Sequence, residues 1–174
     1  IAAQEVQICG VHWPPFTYAD QGNIVSGISF EIYHEAFKRL DMNLIAHEHP
    51  WLRCLNYGES GVYDAVIDNA PLAPYLYGKH PTGFYPLGVF VREDFQQDNF
   101  QWSAMNGKTI GMVRGYDYTP TIIEFKGWTP EYVNDDASLL KKLKGHRNDY
   151  VLLDIFSAPI LSDKVGANIK MLLP

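Results

Sequence analysis

Hydrophobic and polar positions change period several times along the chain, and each change marks an element. Residues 5–9 read as a short strand. Ile28, Ile32, Ala36 and Leu40, with Tyr33 and Phe37 beside them, then recur at helical spacing up to the Asp41-Met42-Asn43 break. Residues 44–46 return to strand. Pro50 suits the first turn of a helix, where its missing N–H is not needed, and that helix carries Trp51, Leu52 and Leu55 before stopping near Gly58 and Gly61. Residues 65–67 make the next strand, which completes a βαβαβ order.

From 69 to 86 the pattern lapses into a loop rich in Pro, Gly and Tyr, and residues 87–92 read as an extended crossing segment. A second unit follows. Its predicted elements are a strand over 108–113, a short helix over 120–126 ended by Gly127, and a strand over 131–133. Next come a helix capped by Asp135 or Asp136, bearing Leu139, Leu140 and Leu143 and ended by Gly145, and a buried strand over 150–153. Two small α/β lobes joined by a strand are the expected architecture.

Composition narrows the classes. A chain of 174 residues, 47% hydrophobic and 20% charged, can bury a real core, as one domain or two small lobes. The net charge of −6, with Lys and Arg scattered, argues against a nucleic-acid partner, because phosphate-tracking proteins concentrate basic residues on one face. The longest apolar runs are too short to span a bilayer. The opening IAAQE matches what remains after removal of a signal peptide with an Ala-x-Ala site. Cys9 and Cys54 form neither a CxxC redox pair nor a zinc set; two buried free thiols or one disulfide of an exporting compartment both fit.

Catalytic signatures are sparse. The chain has no GxSxG, HExxH or GxxxxGK[ST] motif. His47-x-His49 puts two imidazoles on one face of an extended segment without an evident third ligand, which reads as solvent-facing histidines rather than a metal site. No cofactor is called for. Trp13 and Phe16 flank the rigid Pro14-Pro15 pair, and the rings fit either a lid over a core or a binding surface.

Several pieces, in order, carry a resemblance. They are the WPPF loop, DQGNIVSGISFEI leading into the first helix, PWLRCL followed by SGVYDAVI, NGKTIGMVRGYDY, and HRNDYVLLD. Together they resemble the periplasmic solute-binding proteins of polar amino-acid ABC transporters. The resemblance implies an α/β, two-lobed type 2 periplasmic-binding fold, each lobe a small mixed sheet flanked by helices. The first lobe with its hinge strand would cover residues 1–90 and the second 91–174. It implies a periplasmic or extracellular binding protein for a small polar solute held in an interlobe cleft, partnered by a membrane permease. A sensor domain of a signalling protein shares that binding chemistry, and a cleft enzyme such as a dehydratase is the remaining alternative; no acid–base pair compels it.

By the same resemblance Trp13 and Phe16 line the ligand site; Trp51, at the start of the second helix, either joins them or belongs to the core, and Asn69 joins them from the start of the loop after the third strand. Arg114 and Tyr116 belong to a loop resembling an anion cradle, where Gly115 lets backbone N–H groups approach a carboxylate, with an ordinary turn as the competing account. Asp154, at the carboxyl end of its strand, matches the acid that holds a ligand ammonium, or else it caps the helix that follows. Two departures stand out. The family's carboxylate-clamping Arg after the third strand is missing, since no Arg occurs between Arg53 and Arg92, so the ligand is expected to differ from a standard α-amino acid. The chain also stops at IKMLLP, about where the family's C-terminal return to the first lobe begins. Finally, right-handed crossovers put the two helices of the first unit on opposite faces of its sheet. The helix bearing Cys54 then starts at the strand edge where Cys9 lies, and a Cys9–Cys54 disulfide is expected, with two free thiols as the alternative.

Overall fold

The computed structural model describes residues 4–71 and 73–174. The first three residues, part of the inferred signal-peptide remnant, lie outside them. The chain divides into two compact units, Ile1–Phe84 and Tyr85–Pro174.

The first unit runs β1 (Gln4–Gly10), β2 (Tyr18–Asp20), β3 (Asn23–Ser26), α1 (Ile28–Arg39), β4 (Met42–Glu48), α2 (Trp51–Glu59) and β5 (Ala65–Val66). Its sheet has the order β2-β3-β4-β1-β5, with β4, β1 and β5 parallel and the β2–β3 hairpin antiparallel at one edge. That hairpin was not predicted. Its Gln21-Gly22 turn takes positive φ at both positions, 47° and 81°, which suits a tight hairpin whose twist matches its strands.

The buried face of α1 differs from the predicted stripe. Phe30, Tyr33 and Phe37 pack on the core of Val6, Ile8, Ile24, Ala46 and Ile67, while Ile28 and Ile32 are exposed and Leu40 is 65% exposed. Large rings three and four residues apart cover more sheet than the aliphatic row beside them, so the helix is rotated to bury them. β1 pairs in register with β4 along its whole length, Gln4 opposite Met42 through Gly10 opposite Glu48, so β4 is longer than predicted. Alternation along β1 sends Val6 and Ile8 to the α1 face and Gln7 and Cys9 to the other. There Cys9 meets Cys54 of α2 in the expected disulfide, Cα–Cα 5.7 Å, both residues fully buried.

The second unit runs β6 (Leu87–Arg92), a 3₁₀ turn (Trp102–Met105), β7 (Thr109–Val113), α3 (Pro120–Glu124), β8 (Thr129–Val133), α4 (Asp136–Lys144), β9 (Tyr150–Asp154), α5 (Ser157–Val165) and β10 (Ile169–Met171). The sheet order is β10-β6-β9-β7-β8. β6, the predicted crossing strand, is hydrogen-bonded on both edges inside this sheet, antiparallel to β9 and β10. The division between units thus falls ahead of it. All residues of β9 are buried. Leu152 and Tyr150 pack with Met105, Ile122 and Trp128 on one face, and Val151 and Leu153 pack with Leu139, Leu140, Leu143 and Leu161 on the other. β7, β8 and β9 are parallel, so their following loops, beginning at Arg114, Asn134 and Ile155, gather at one sheet edge.

Candidate functional site

Each predicted site residue has a definite local role. In the first unit the WPPF loop is closed on itself: Trp13 N–H donates to Thr17 O at 2.9 Å, and Thr17 Oγ1 donates to Val11 O at 2.6 Å. Phe16 is buried, and its ring centroid lies 4.9 Å from that of half-buried Trp13. The loop also caps α1, which has no side-chain cap: Ile28 N–H donates to Pro15 O and Ser29 N–H to Phe16 O at 2.9 Å. This close approach requires Gly27, at φ 117°, because a Cβ there would stand 2.3 Å from Phe16 O. The aromatic loop is therefore held rigidly by the helix end it serves.

Trp51 opens α2 and is buried. Asn69 follows β5, half-buried, beside Asp68, whose Oδ1 accepts from Tyr33 OH at 3.4 Å and Thr82 Oγ1 at 3.3 Å. His47 and His49 are not free in solvent as predicted. His47 Nε2 lies 3.1 Å from Gln7 Oε1, His49 Nε2 lies 2.7 Å from Tyr63 OH, and both rings pack against Tyr63. Burial, then the neighbouring His47, holds the His49 pKa below its ordinary value.

In the second unit the end of β7 and the first residue after it spend their backbone donors inside the fold. Val113 N–H donates to Tyr118 OH at 2.8 Å, and Arg114 N–H donates to Val133 O at 2.8 Å. Gly115 takes a φ of 81° and turns the chain so that Tyr116 OH donates to Asp136 Oδ2 at 3.0 Å. The Arg114 side chain points outward, exposed. What the loop presents inward is a phenol bonded to an acid.

Asp154 takes the capping role that its sequence position allowed, but with one oxygen only. Its Oδ1 accepts from Phe156 N–H at 2.9 Å, Ser157 N–H at 2.8 Å and Ser157 Oγ at 2.9 Å, which anchors the start of α5. Its Oδ2 is buried with no hydrogen-bond partner among the described residues, on a residue only 4% exposed. Burial raises the Asp154 pKa, and the bonds from Ser157 and Phe156 pull the other way.

Sequence reasoning did not single out Asp136 as a site residue. The Asp135-Asp136 pair announced a cap without saying which acid serves. Asp135 does, its Oδ1 accepting from Ser138 N–H at 2.7 Å, and Asp136 is left in the first turn of α4, 6% exposed. Burial pushes its carboxyl up to about 7, opposed by the Tyr116 bond and reinforced by the charges of Asp135 and Asp154. Burial, followed by Asp136, likewise holds the Tyr116 hydroxyl well above its ordinary range. The structure thus joins Tyr116 to Asp136 by a hydrogen bond, and the charge of Asp154 bears on the same carboxyl. Trp13, Phe16, Trp51 and Asn69 belong to the first unit.

No protein-family model and no curated protein matches the chain. Solved structures do. The chain is similar to a variant of ArgBP from T. maritima, with 19% identity and a TM-score of 0.81 over 98% of this chain and 76% of that one. It is similar to a Streptococcus mutans structure described in terms of glutathione import via GshT and the cystine ABC importer TcyBC, at 21% identity and TM-score 0.79, covering 98% and 77%. It is also similar to an arginine third transport system periplasmic binding protein from Legionella pneumophila, at 16% identity and TM-score 0.79, covering 98% and 80%. The likeness shows the fold: two α/β units, each a mixed five-stranded sheet flanked by helices.

Proposed function

We propose that this chain binds a small polar solute and serves a membrane importer as its extracytoplasmic binding component. The observation that carries the reading is Asp154 Oδ2, a buried carboxylate oxygen without a partner among the described residues, at the carboxyl end of a central strand. Leaving such a group unpaired is costly in a finished fold and expected where a ligand supplies the missing donor. Ligands of open α/β sheets collect at this strand edge. The similar structures, named for arginine binding and for glutathione or cystine import, support the solute class and the importer partner. The buried disulfide supports an oxidising, periplasmic or extracellular location.

The reading is tested by calorimetric titration of the whole chain with the common amino acids, their amides and small polyamines. At least one solute should bind saturably and raise the melting temperature. Asp154→Asn, which keeps an oxygen for the α5 cap and removes the charge, should then weaken a cationic solute by about 1–3 kcal/mol. Absence of binding across the panel would refute the proposal.

A further inference from the structure

The rotation of α1 that packs Phe30, Tyr33 and Phe37 on the first core leaves an aliphatic row beside them in solvent. Ile28, Ile32, Ala36 and Leu40 recur every fourth residue, from the first residue of the helix to the one that caps its end, and all are exposed: Ile28 54%, Ile32 42% and Leu40 65%. In the second unit α4 does the opposite and buries Leu139, Leu140 and Leu143. Single exposed aliphatic residues are ordinary on a protein surface, but an unbroken row along one helix, rimmed by charge, marks a contact surface.

The rim says what fits the row. Glu31 lies in the first turn of α1 and Lys38 and Arg39 in the last, all exposed, on the flank that also carries Glu35. Glu35 is already paired with Arg39 at 2.8 Å, whereas Glu31 and Lys38 make no ion pair among the described residues. We propose that α1 is a self-association surface and that its partner is α1 of a second copy of this chain, antiparallel to it about a two-fold axis. In such a pair, position i of one copy meets j of the other and j meets i. An axis between Ile32 and Ala36 sets Ile32 against Ala36 of the second copy and Ile28 against Leu40 of the second copy. The same axis sets Glu31 against Lys38 twice over. A parallel pair would set Glu31 against Glu31 and Lys38 against Lys38, and would align the two helix dipoles, so charge selects the antiparallel form. Rows four residues apart are the ridges of the commonest class of helix packing, and the small Ala36 lets the two backbones come close at the centre.

The size of the face sets the strength. A stable complex engages about 20–30 residues a side. The row and its rim supply four apolar and four charged side chains from each copy, so the pair is weak and reversible, and its population follows concentration.

Sedimentation equilibrium of the whole chain, from about 10 µM to about 1 mM, tests this. The mass should climb from 19.8 kDa toward twice that value. Ile32→Glu puts a charge at the centre of the row and should lower the association constant at least about tenfold; because Ile32 is exposed, its melting curve at about 10 µM should match the parent's. Glu31→Lys should lower association about three- to tenfold, and adding Lys38→Glu to the same chain should restore it to within about threefold, because the exchanged charges face each other again. A monomer at every concentration would overturn the inference. So would self-association unchanged in Ile32→Glu, which would assign the contact to another surface. A double variant no better than Glu31→Lys alone would overturn the antiparallel pairing, and the inference with it.

Discussion

In the second unit both faces of the central sheet are covered by apolar side chains, with Met105, Trp128 and Leu172 on one side and Leu139, Leu140, Leu143 and Leu161 on the other. The first unit has such a core on its α1 side, where Val6, Ile8, Ala46 and Ile67 lie beneath Phe30, Tyr33 and Phe37. Its α2 side carries Gln7, His47 and Tyr63, together with the Cys9–Cys54 bridge. The difference teaches how a small sheet can be held when one face is polar and aromatic. Hydrophobic burial dominates in the second unit, and in the first a covalent link takes over part of that role.

The largest expected effect lies in the second core. Leu140→Ala removes a fully buried side chain from between α4 and the sheet and should cost about 2–5 kcal/mol. Amide exchange should accelerate across β7, β8 and β9 while the first unit's slow amides change least. Equal acceleration in both units would break the contrast. A smaller effect, about 2–4 kcal/mol, is expected when Cys9→Ser and Cys54→Ser are combined, and it should fall on β1, β4 and α2. If the double variant melts like the parent, the bridge is not what compensates the polar face.

A third effect sharpens the comparison through pH. The Asp136 carboxyl titrates at about 7 in the folded chain, against an ordinary 3.8, so the folded state retains a proton that the unfolded state has lost. Stability rises with pH only where the unfolded state binds more protons, so this contribution is fully present below about pH 4 and is lost as pH climbs toward 7. Asp154, also raised, acts in the same direction. Scanning calorimetry from pH 4 to pH 8 should show a decline that is shallower in Asp136→Asn. Parallel curves for parent and variant would mean that Asp136 is not held as a buried acid.

The order of strands and helices was legible because it rests on local period and punctuation. Pro50 opened α2, Gly145 closed α4, and the apolar run at 150–153 became the buried core of β9. The disulfide was legible in part, since handed crossovers bring Cys54 to the edge where Cys9 ends its strand, and the face that Cys9 takes decided between a bridge and two free thiols. Less was legible where two local readings were equally good. The aliphatic row on α1 and the aromatic row beside it have the same period, and only the sheet beneath decided that Phe30 and Phe37 go in and Leu40 stays out. The β2–β3 hairpin was missed because its strands are short and its turn signal, Gln21-Gly22, lacks the usual Asn or Asp before the glycine.

The sequence by itself determined the two α/β units, the positions of the aromatic loop and of Asp154, and the absence of an Arg between Arg53 and Arg92. These are matters of residue identity and spacing, which local geometry reads directly. Only the tertiary structure decided which oxygen of Asp154 caps α5 and which is left unpartnered, and which of the adjacent acids Asp135 and Asp136 becomes the cap. The physical reason is burial. Two neighbouring aspartates are chemically alike in an extended chain, and they diverge only when packing leaves one exposed at a helix end and encloses the other beside Tyr116.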